Sequence, residues 1–386
     1  MGSQTVTEQN SSKGPGTSGN PLIALEKQGQ AVWLDYIRRD LLQNGELKKM
    51  VDQDGLSGMT SNPTIFEKAI GTSTDYDAQL RSLLAKDPAK SAGDLFEAVA
   101  VEDIRAAADI LRAVYDRTQG ADGFVSLEVS PTLAHDTQGT IAEAKRLWKE
   151  VDRPNLMIKV PATPEGLPAV EQLLAAGINV NITLMFSQQH YEDVAQAYIR
   201  GLTAAAHPEK IASVASFFVS RVDTLIDPQL EKIGTPEALA LRGKAAIANC
   251  RVVYKRFQEL FYGDAFVALK RKGARVQRVL WASTSTKNPA YRDVLYVEDL
   301  IGPDTVNTMP PATVDAFRDH GKIPGATVAQ GVEQAKTDLA NLEKVGIRLK
   351  DATAKLQTDG VASFSKSFAD LMSAIDAKRK AIGGKS

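Results

Sequence analysis

The sequence predicts an α/β chain folded as a (β/α)8 TIM barrel with additional N- and C-terminal helices. Eight short apolar runs carry this reading, near residues 32–36, 57–61, 124–129, 156–161, 179–185, 212–219, 278–283 and 304–308. Helical segments separate most of them. Strands that alternate with helices form parallel βαβ units, and eight such units in one chain close into a barrel. The rival is an open, doubly wound sheet, which usually carries a glycine-rich first turn for phosphate. No βα turn here reads Gly-x-Gly-x-x-Gly. There is no P-loop either, because Arg379 stands where its first glycine would precede Gly384-Lys385-Ser386.

Taken in order, residues 1–20 are rich in Ser, Thr, Gly, Asn and Gln and read as a disordered tail, leaving 21–386 as a single barrel domain with a helical C-terminal extension. Leu22 to Gln30 is helical, and the first strand, Ala31-Val-Trp-Leu-Asp35, carries one carboxylate. A helical pattern over 38–53 leads to the second strand, Leu56-Ser-Gly-Met-Thr60, closed by Ser61-Asn62-Pro63. Thr64-Ile-Phe-Glu67 has the spacing of a capping box and opens the next helix. Residues 75–118 are helical with two breaks. Phe124-Val-Ser-Leu-Glu128 repeats the theme of a strand with one acid and a proline soon after.

After a helix over 137–151 comes Asn155-Leu-Met-Ile-Lys159-Val-Pro161, an apolar strand interrupted by a lysine. Thr163-Pro-Glu reads as an N-cap with proline at the first helical position. Ile178-Asn-Val-Asn181-Ile-Thr183-Leu is the fifth strand, with Ser187 capping the helix beyond it. Ala212 to Val219 is the sixth, with Arg221 just past its end. A long helix over 235–261 precedes Arg278 to Ser283, the seventh. The eighth, Asp304 to Thr308, is closed by Met-Pro-Pro, and helices near 326–345 and 361–381 finish the chain.

Composition narrows the function classes. The 46 basic and 47 acidic residues leave a net charge of -1, which gives no support for binding nucleic acid or a membrane surface. No apolar run reaches the roughly 18 residues of a membrane span. The single cysteine, Cys250, permits no intrachain disulfide and fits a reducing cytoplasm. The four histidines, at 135, 190, 207 and 320, are scattered outside the strands, so no metal centre is expected.

In a barrel of this kind, reactive groups sit at the C-terminal ends of strands. Here those ends carry Asp35, Thr60 with Asn62, Glu128, Lys159, Asn181 with Thr183, Ser216 and Ser283. Any one of them could be a hydrogen-bonded structural group, and Lys159 could simply reach water or balance an acid. Seven strands doing this together describe a reaction site. A lysine walled by apolar residues is the nucleophile candidate, since desolvation favours the uncharged amine, and the two acids are proton-transfer candidates. Arg221, Lys287 and the hydroxyls from Ser283 to Thr286 are candidates for holding a phosphate.

Gly58-Met-Thr-Ser-Asn-Pro-Thr-Ile-Phe, Val125-Ser-Leu-Glu-Val, Ile158-Lys-Val-Pro-Ala-Thr, Gly177-Ile-Asn-Val-Asn-Ile-Thr-Leu-Met-Phe-Ser and Ser216-Phe-Phe-Val-Ser-Arg fall in order on successive strands, and over roughly residues 20–375 the chain resembles the transaldolases. The resemblance implies a class I aldolase-type barrel with the Schiff-base lysine, Lys159, on the fourth strand. It implies that Glu128 with Thr183 and a water shuttles protons, and that Asp35 takes the proton of the C4 hydroxyl. It further implies that Asn62, Asn181 and Ser216 hold hydroxyls of a dihydroxyacetone fragment, while Arg221 binds phosphate. No cofactor is then needed, because the imine is the electron sink. The expected partners are sugar phosphates, and the expected assembly is a monomer or homodimer. The chain is similar to the longer branch, with an extended C-terminal segment. The better-known branch has a phosphate-binding arginine soon after the seventh strand. Here that stretch reads Ala282-Ser-Thr-Ser-Thr-Lys-Asn, so Lys287 or the hydroxyls stand in its place. Two rivals follow: a fructose-6-phosphate aldolase that releases free dihydroxyacetone, and a non-catalytic sugar-phosphate-binding barrel. The smaller aldolases carry Gln where Glu128 stands and Tyr where Phe218 stands.

Overall fold

A computed structural model describes residues 19–383. Eight parallel strands close into one barrel in sequence order: β1 (Gln30–Asp35), β2 (Leu56–Thr60), β3 (Phe124–Glu128), β4 (Leu156–Pro161), β5 (Val180–Met185), β6 (Ser213–Phe218), β7 (Arg278–Ala282) and β8 (Thr305–Met309). All eight strand expectations hold to within two residues. Every residue of β4, β5 and β6 is buried. That follows from a parallel sheet covered by helices outside and filled by its own side chains inside.

The N-terminal mouth is closed by a polar plug. Trp33 donates its indole N–H to Asp122 Oδ1 at 2.8 Å, and Arg278, whose guanidinium lies 5.7 Å from the Trp33 ring centre, pairs with the same carboxylate at 3.3 Å. Gly58 makes room for the indole, since a Cβ there would sit 2.3 Å from Trp33 Cε2. The bottom is thereby sealed, and the ends of the strands that remain open face the other way.

Several local expectations are corrected. The tail expected over 1–20 falls almost wholly outside the described residues, but Asn20 is ordered. It caps helix Pro21–Lys27 by accepting from the Leu22 N–H at 2.9 Å, and it donates to Asp54 at 2.7 Å. The cap of helix Pro63–Thr72 is Asn62, not Thr64: its Oδ1 accepts from the Ile65 N–H at 3.0 Å, with Pro63 at the first helical position. Thr64, two residues inside, bonds Ser367 at 2.8 Å instead. Helix Gly166–Ala175 starts later than Thr163-Pro164 suggested, although the Thr163 hydroxyl still accepts from the Gly166 N–H at 3.0 Å. Residues 75–118 show one break rather than two, between helices Asp77–Lys86 and Ala92–Arg117, where Ser91 forms a capping box with Asp94. The helix expected over 235–261 is broken at 240–244, where Gly243 takes φ +68°, and the continuous part is Ala245–Phe261. Arg221 lies just past β6, as expected, in the first turn of helix Ser220–Ile233.

The C-terminal helix is the largest difference. It runs 35 residues, Leu349–Gly383, rather than starting near 361. Gly360, inside this helix, is a point of close approach. A Cβ there would lie 3.0 Å from Leu184 at the end of β5 and 3.6 Å from the Arg221 guanidinium. The helix crosses the open mouth. Gln357 donates to the Ala162 carbonyl at 2.7 Å, just past β4, and Lys378 anchors the far end on Asp77 at 2.6 Å.

Candidate active site

Parallel register puts three polar side chains side by side at the centre of the barrel. Glu128 of β3 is aligned with Lys159 of β4, and Lys159 with Asn181 of β5. Lys159 Nζ lies 3.3 Å from Glu128 Oε2 and donates to the Ser61 carbonyl at 3.1 Å. Both side chains are nearly sealed from solvent, at 6% and 5% exposure. Asn181 is fully buried, accepting from the Ser216 hydroxyl at 2.6 Å and donating to Ser126 Oγ at 3.0 Å. On the opposite side, Asp35 of β1 accepts from the Thr60 hydroxyl at 2.6 Å. That uses the one proton of Thr60, so in its 2.8 Å contact with Thr308 the Thr308 hydroxyl is the donor.

Burial raises the Asp35 carboxyl above its ordinary value, opposed first by the Lys159 charge and then by the Thr60 hydroxyl. Burial likewise raises Glu128, opposed by the charge and hydrogen bond of Lys159 and reinforced by Asp35. Two buried carboxyls that resist ionisation therefore share one amine between them. Each carboxyl is therefore disposed to hold a proton more readily than a solvent-exposed acid, as a proton-transfer group must.

The strand beside them is irregular. The β5–β6 register shifts between Ile182 and Met185, and Leu184 takes φ +64°. A bulge re-aims the side chains next to it. Thr183 lines the cavity, and its buried hydroxyl has no partner among the described protein groups.

The mouth of the barrel encloses a cavity of about 370 Å³. Of the residues expected from sequence, Asp35, Thr60, Asn62, Lys159, Thr183, Ser216, Arg221, Ser283 and Lys287 line it. Asn181 sits behind the wall and reaches the cavity only through Ser216. Glu128 sits behind Lys159, facing a second, largely apolar cavity of about 140 Å³.

One end of the large cavity is cationic. Arg221 stands over the Phe218 ring at 5.0 Å and near the Phe364 ring at 5.9 Å. Burial lowers its affinity for a proton, while Asp35 opposes this. Lys287 is lowered too, by burial and then by the charges of Arg221 and Lys68, and it donates to Ser285 Oγ at 2.6 Å. None of the three cations forms an ion pair among the described residues. Clustered cations without a counter-ion, beside the Ser285 hydroxyl, have the chemistry to receive an anion such as a phosphate. Ser283, in the left-handed region at φ +59°, holds its hydroxyl 2.9 Å from Ser220 and pins the start of this loop.

Removing one charge-assisted contact tests that end directly. Arg221→Ala is expected to lower kcat/KM for a phosphorylated ketose by about 10- to 100-fold. Most of the loss should appear in KM, and steady-state kinetics checks it. A change confined to kcat would contradict the assignment.

Four neighbours escaped the sequence reading. Thr308 ends β8 as the other polar residues end their strands, so its position was a usable signal. Ser126 lies two residues before Glu128 in β3, on the same face of that strand. Lys68 and Phe364 had no such signal. The first comes from a turn of helix after the β2 loop, and the second from a helix hundreds of residues away in sequence. The Phe364 ring centre lies 5.6 Å from Lys159 Nζ, and the ring is 4% exposed. It roofs the amine with an aromatic face and helps keep water from it.

Comparison with known proteins gives the family. Residues 32–375 match the family described as transaldolase/fructose-6-phosphate aldolase. A transaldolase of Thermobifida fusca is 50% identical over 358 residues, covering 92% of this chain and 97% of that protein. The transaldolase of Mycolicibacterium smegmatis is 48% identical over 370 residues, with 94% and 99% covered, and that of Frankia alni is 49% identical over 360, with 92% and 96% covered. With the match spanning the whole barrel and most of the helix that crosses it, the chain belongs to the transaldolase/fructose-6-phosphate aldolase family.

Proposed function

We propose that this chain is a transaldolase. It moves a dihydroxyacetone unit from sedoheptulose 7-phosphate or fructose 6-phosphate to glyceraldehyde 3-phosphate or erythrose 4-phosphate, a step of the pentose phosphate pathway. The observation that carries the reading is the Lys159 amine, 3.3 Å from Glu128 at the floor of a cavity with Asp35 on its wall and three unpaired cations at its rim.

Lys159 attacks the ketose carbonyl, and the resulting carbinolamine loses water to give a protonated imine. Glu128 supplies the proton that lets the hydroxyl leave, and the Thr183 hydroxyl holds the water between them. Asp35 takes the proton of the C4 hydroxyl. The C3–C4 electrons flow into the imine nitrogen, leaving an enamine on Lys159 and releasing an aldose phosphate. Ser216, oriented by Asn181, and Asn62, whose side-chain N–H2 is free of its capping duty, hold the hydroxyls of the retained fragment. The second aldose phosphate docks at Arg221 and Lys287, and the steps reverse.

Family membership alone leaves open a fructose-6-phosphate aldolase. Glu128 and Phe218, where the smaller aldolases have Gln and Tyr, favour transfer over release. The described helices include none long and apolar enough to cross a membrane. The lone Cys250 is buried and suits a reducing cytoplasm, where we place the enzyme.

Borohydride reduction in the presence of fructose 6-phosphate is expected to leave a three-carbon adduct on Lys159, read by peptide mass spectrometry. An adduct on another lysine, or none, would sink the reading. An assay for free dihydroxyacetone without acceptor separates transfer from release.

A further inference from the structure

Helix Ser220–Ile233 serves the cavity on one side and a second structure on the other. Its first turn carries Arg221. Asp223 and Asp227, one turn apart on one face, point toward the segment that follows β7. Asp227, 5% exposed, accepts from the Tyr291 hydroxyl at 2.6 Å and from the Gly243 N–H at 3.0 Å. Asp223, 2% exposed, accepts from the Tyr296 hydroxyl at 2.8 Å and from the Ala246 N–H at 2.8 Å. The two carboxylates thus have parallel sets of partners: one tyrosine beyond β7 and one backbone N–H at the start of helix Ala245–Phe261. Gly243 lies flat on the Tyr291 ring, where a Cβ would come within 2.9 Å of it.

Neither carboxylate has a cation in contact among the described residues. Burying such groups is costly unless donors replace water, and here four donors do so. Burial carries Asp223 up to about 6, with the Asp227 charge adding to it. An apolar contact would join the same helices without that penalty. What the carboxylates add is direction, because a tyrosine hydroxyl at 2.6 Å fixes the segment it belongs to. Lys287 sits four residues before Tyr291 and lines both the sugar cavity and a smaller one, of about 180 Å³, shared with Asp223, Asp227 and Tyr291.

We propose that the Asp227–Tyr291 and Asp223–Tyr296 pairs form a clasp that sets the position of Lys287 relative to Arg221, so that they are positioning residues for the phosphate end of the substrate. The inference rests on the proposed transaldolase reading for the identity of the substrate. The span between the two cations does not depend on that reading. Lys287 lies in the irregular segment 283–294 after β7, and such a segment needs an external tether to present a flexible lysine at a fixed distance. The clasp provides it from the helix that carries the other cation.

The test uses Tyr291→Phe, which keeps the ring on Gly243 and removes only the hydroxyl, together with Asp227→Asn and the double variant. Inorganic phosphate is titrated as a competitive inhibitor against fructose 6-phosphate. Each single variant is expected to raise Ki for phosphate and KM for the ketose together, by about three- to tenfold. kcat should fall less than KM rises, and the double variant should be no worse than the weaker single. Tyr296→Phe gives the same readout if Tyr291→Phe does not fold. Unchanged Ki and KM in a folded variant would overturn the clasp, as would a loss confined to kcat. Should wild-type protein form no borohydride adduct, the transaldolase reading fails, and phosphate binding by calorimetry still decides the clasp.

Discussion

Replacing Lys159 with methionine is expected to lower kcat/KM on the order of 10⁴-fold or more and to abolish the borohydride adduct. Methionine fills nearly the same volume and has no amine, so the imine and the electron sink it provides are both lost. The neighbours should tolerate the change. The Lys159 charge is the main influence opposing burial at Asp35 and Glu128, so without it both carboxyls rise further. That shift favours the uncharged form of each, which limits the cost of removing the cation beside them. The variant should therefore fold, with circular dichroism unchanged and a Tm close to wild type. Lys159→Arg places a cation without a nucleophilic nitrogen beside Glu128 and should be equally inactive. Turnover within tenfold of wild type in either variant would remove Lys159 from the chemistry.

The barrel was legible because each strand is written twice in the sequence, once as an apolar run and once as a polar residue at its end. Periodicity alone gave the order of strands, and order gave the fourth strand its lysine. Thr308 belongs to that pattern and could have been read. Helix starts were harder, because several polar residues near one proline compete for the cap. At Asn62-Pro63-Thr64 the residue before proline wins, since proline is suited to the first helical position and its neighbour must then be extended. Phe364 and Lys68 could not be placed from local pattern at all. Their roles arise only when helix Leu349–Gly383 is laid across the mouth, and Gly360 allows that approach. The clasp was hidden for the same reason: Asp227 and Tyr291 are 64 residues apart and meet only in the closed barrel. Lys159 itself was expected to owe its reactivity to burial. The structure adds a carboxyl at 3.3 Å, a contact that the apolar run around the lysine does not reveal.

Replacing Asp35 with asparagine is expected to lower kcat/KM by about 10²- to 10⁴-fold, the range for removing a positioned general base. The lesion should fall at one step. Imine formation at Lys159 precedes the removal of the C4 proton, so the variant still condenses with fructose 6-phosphate but does not cleave it. Borohydride should then trap the intact six-carbon sugar phosphate on Lys159, where wild-type protein yields the three-carbon fragment. Asparagine still accepts from Thr60, so the geometry around the 2.6 Å bond is kept. Stability should move the opposite way from activity. Burial raises the folded-state pKa of Asp35 above its usual value near 3.8. Below the unfolded value the group is protonated in both states, and its favourable contribution is fully present. As pH rises through the interval up to the folded value, unfolding releases a proton, and that contribution is lost. At neutral pH the aspartate therefore destabilises the fold relative to a neutral isostere, and Asp35→Asn should show a higher Tm than wild type at pH 7, with the gap narrowing in acid. The same raised pKa moves the acid limb of the wild-type pH–rate profile upward, because only the ionised form can act as a base. A three-carbon adduct in Asp35→Asn, formed at the wild-type rate, would assign the proton transfer to another group. A lower Tm at pH 7 would show that the carboxylate is stabilised in place rather than held against its burial.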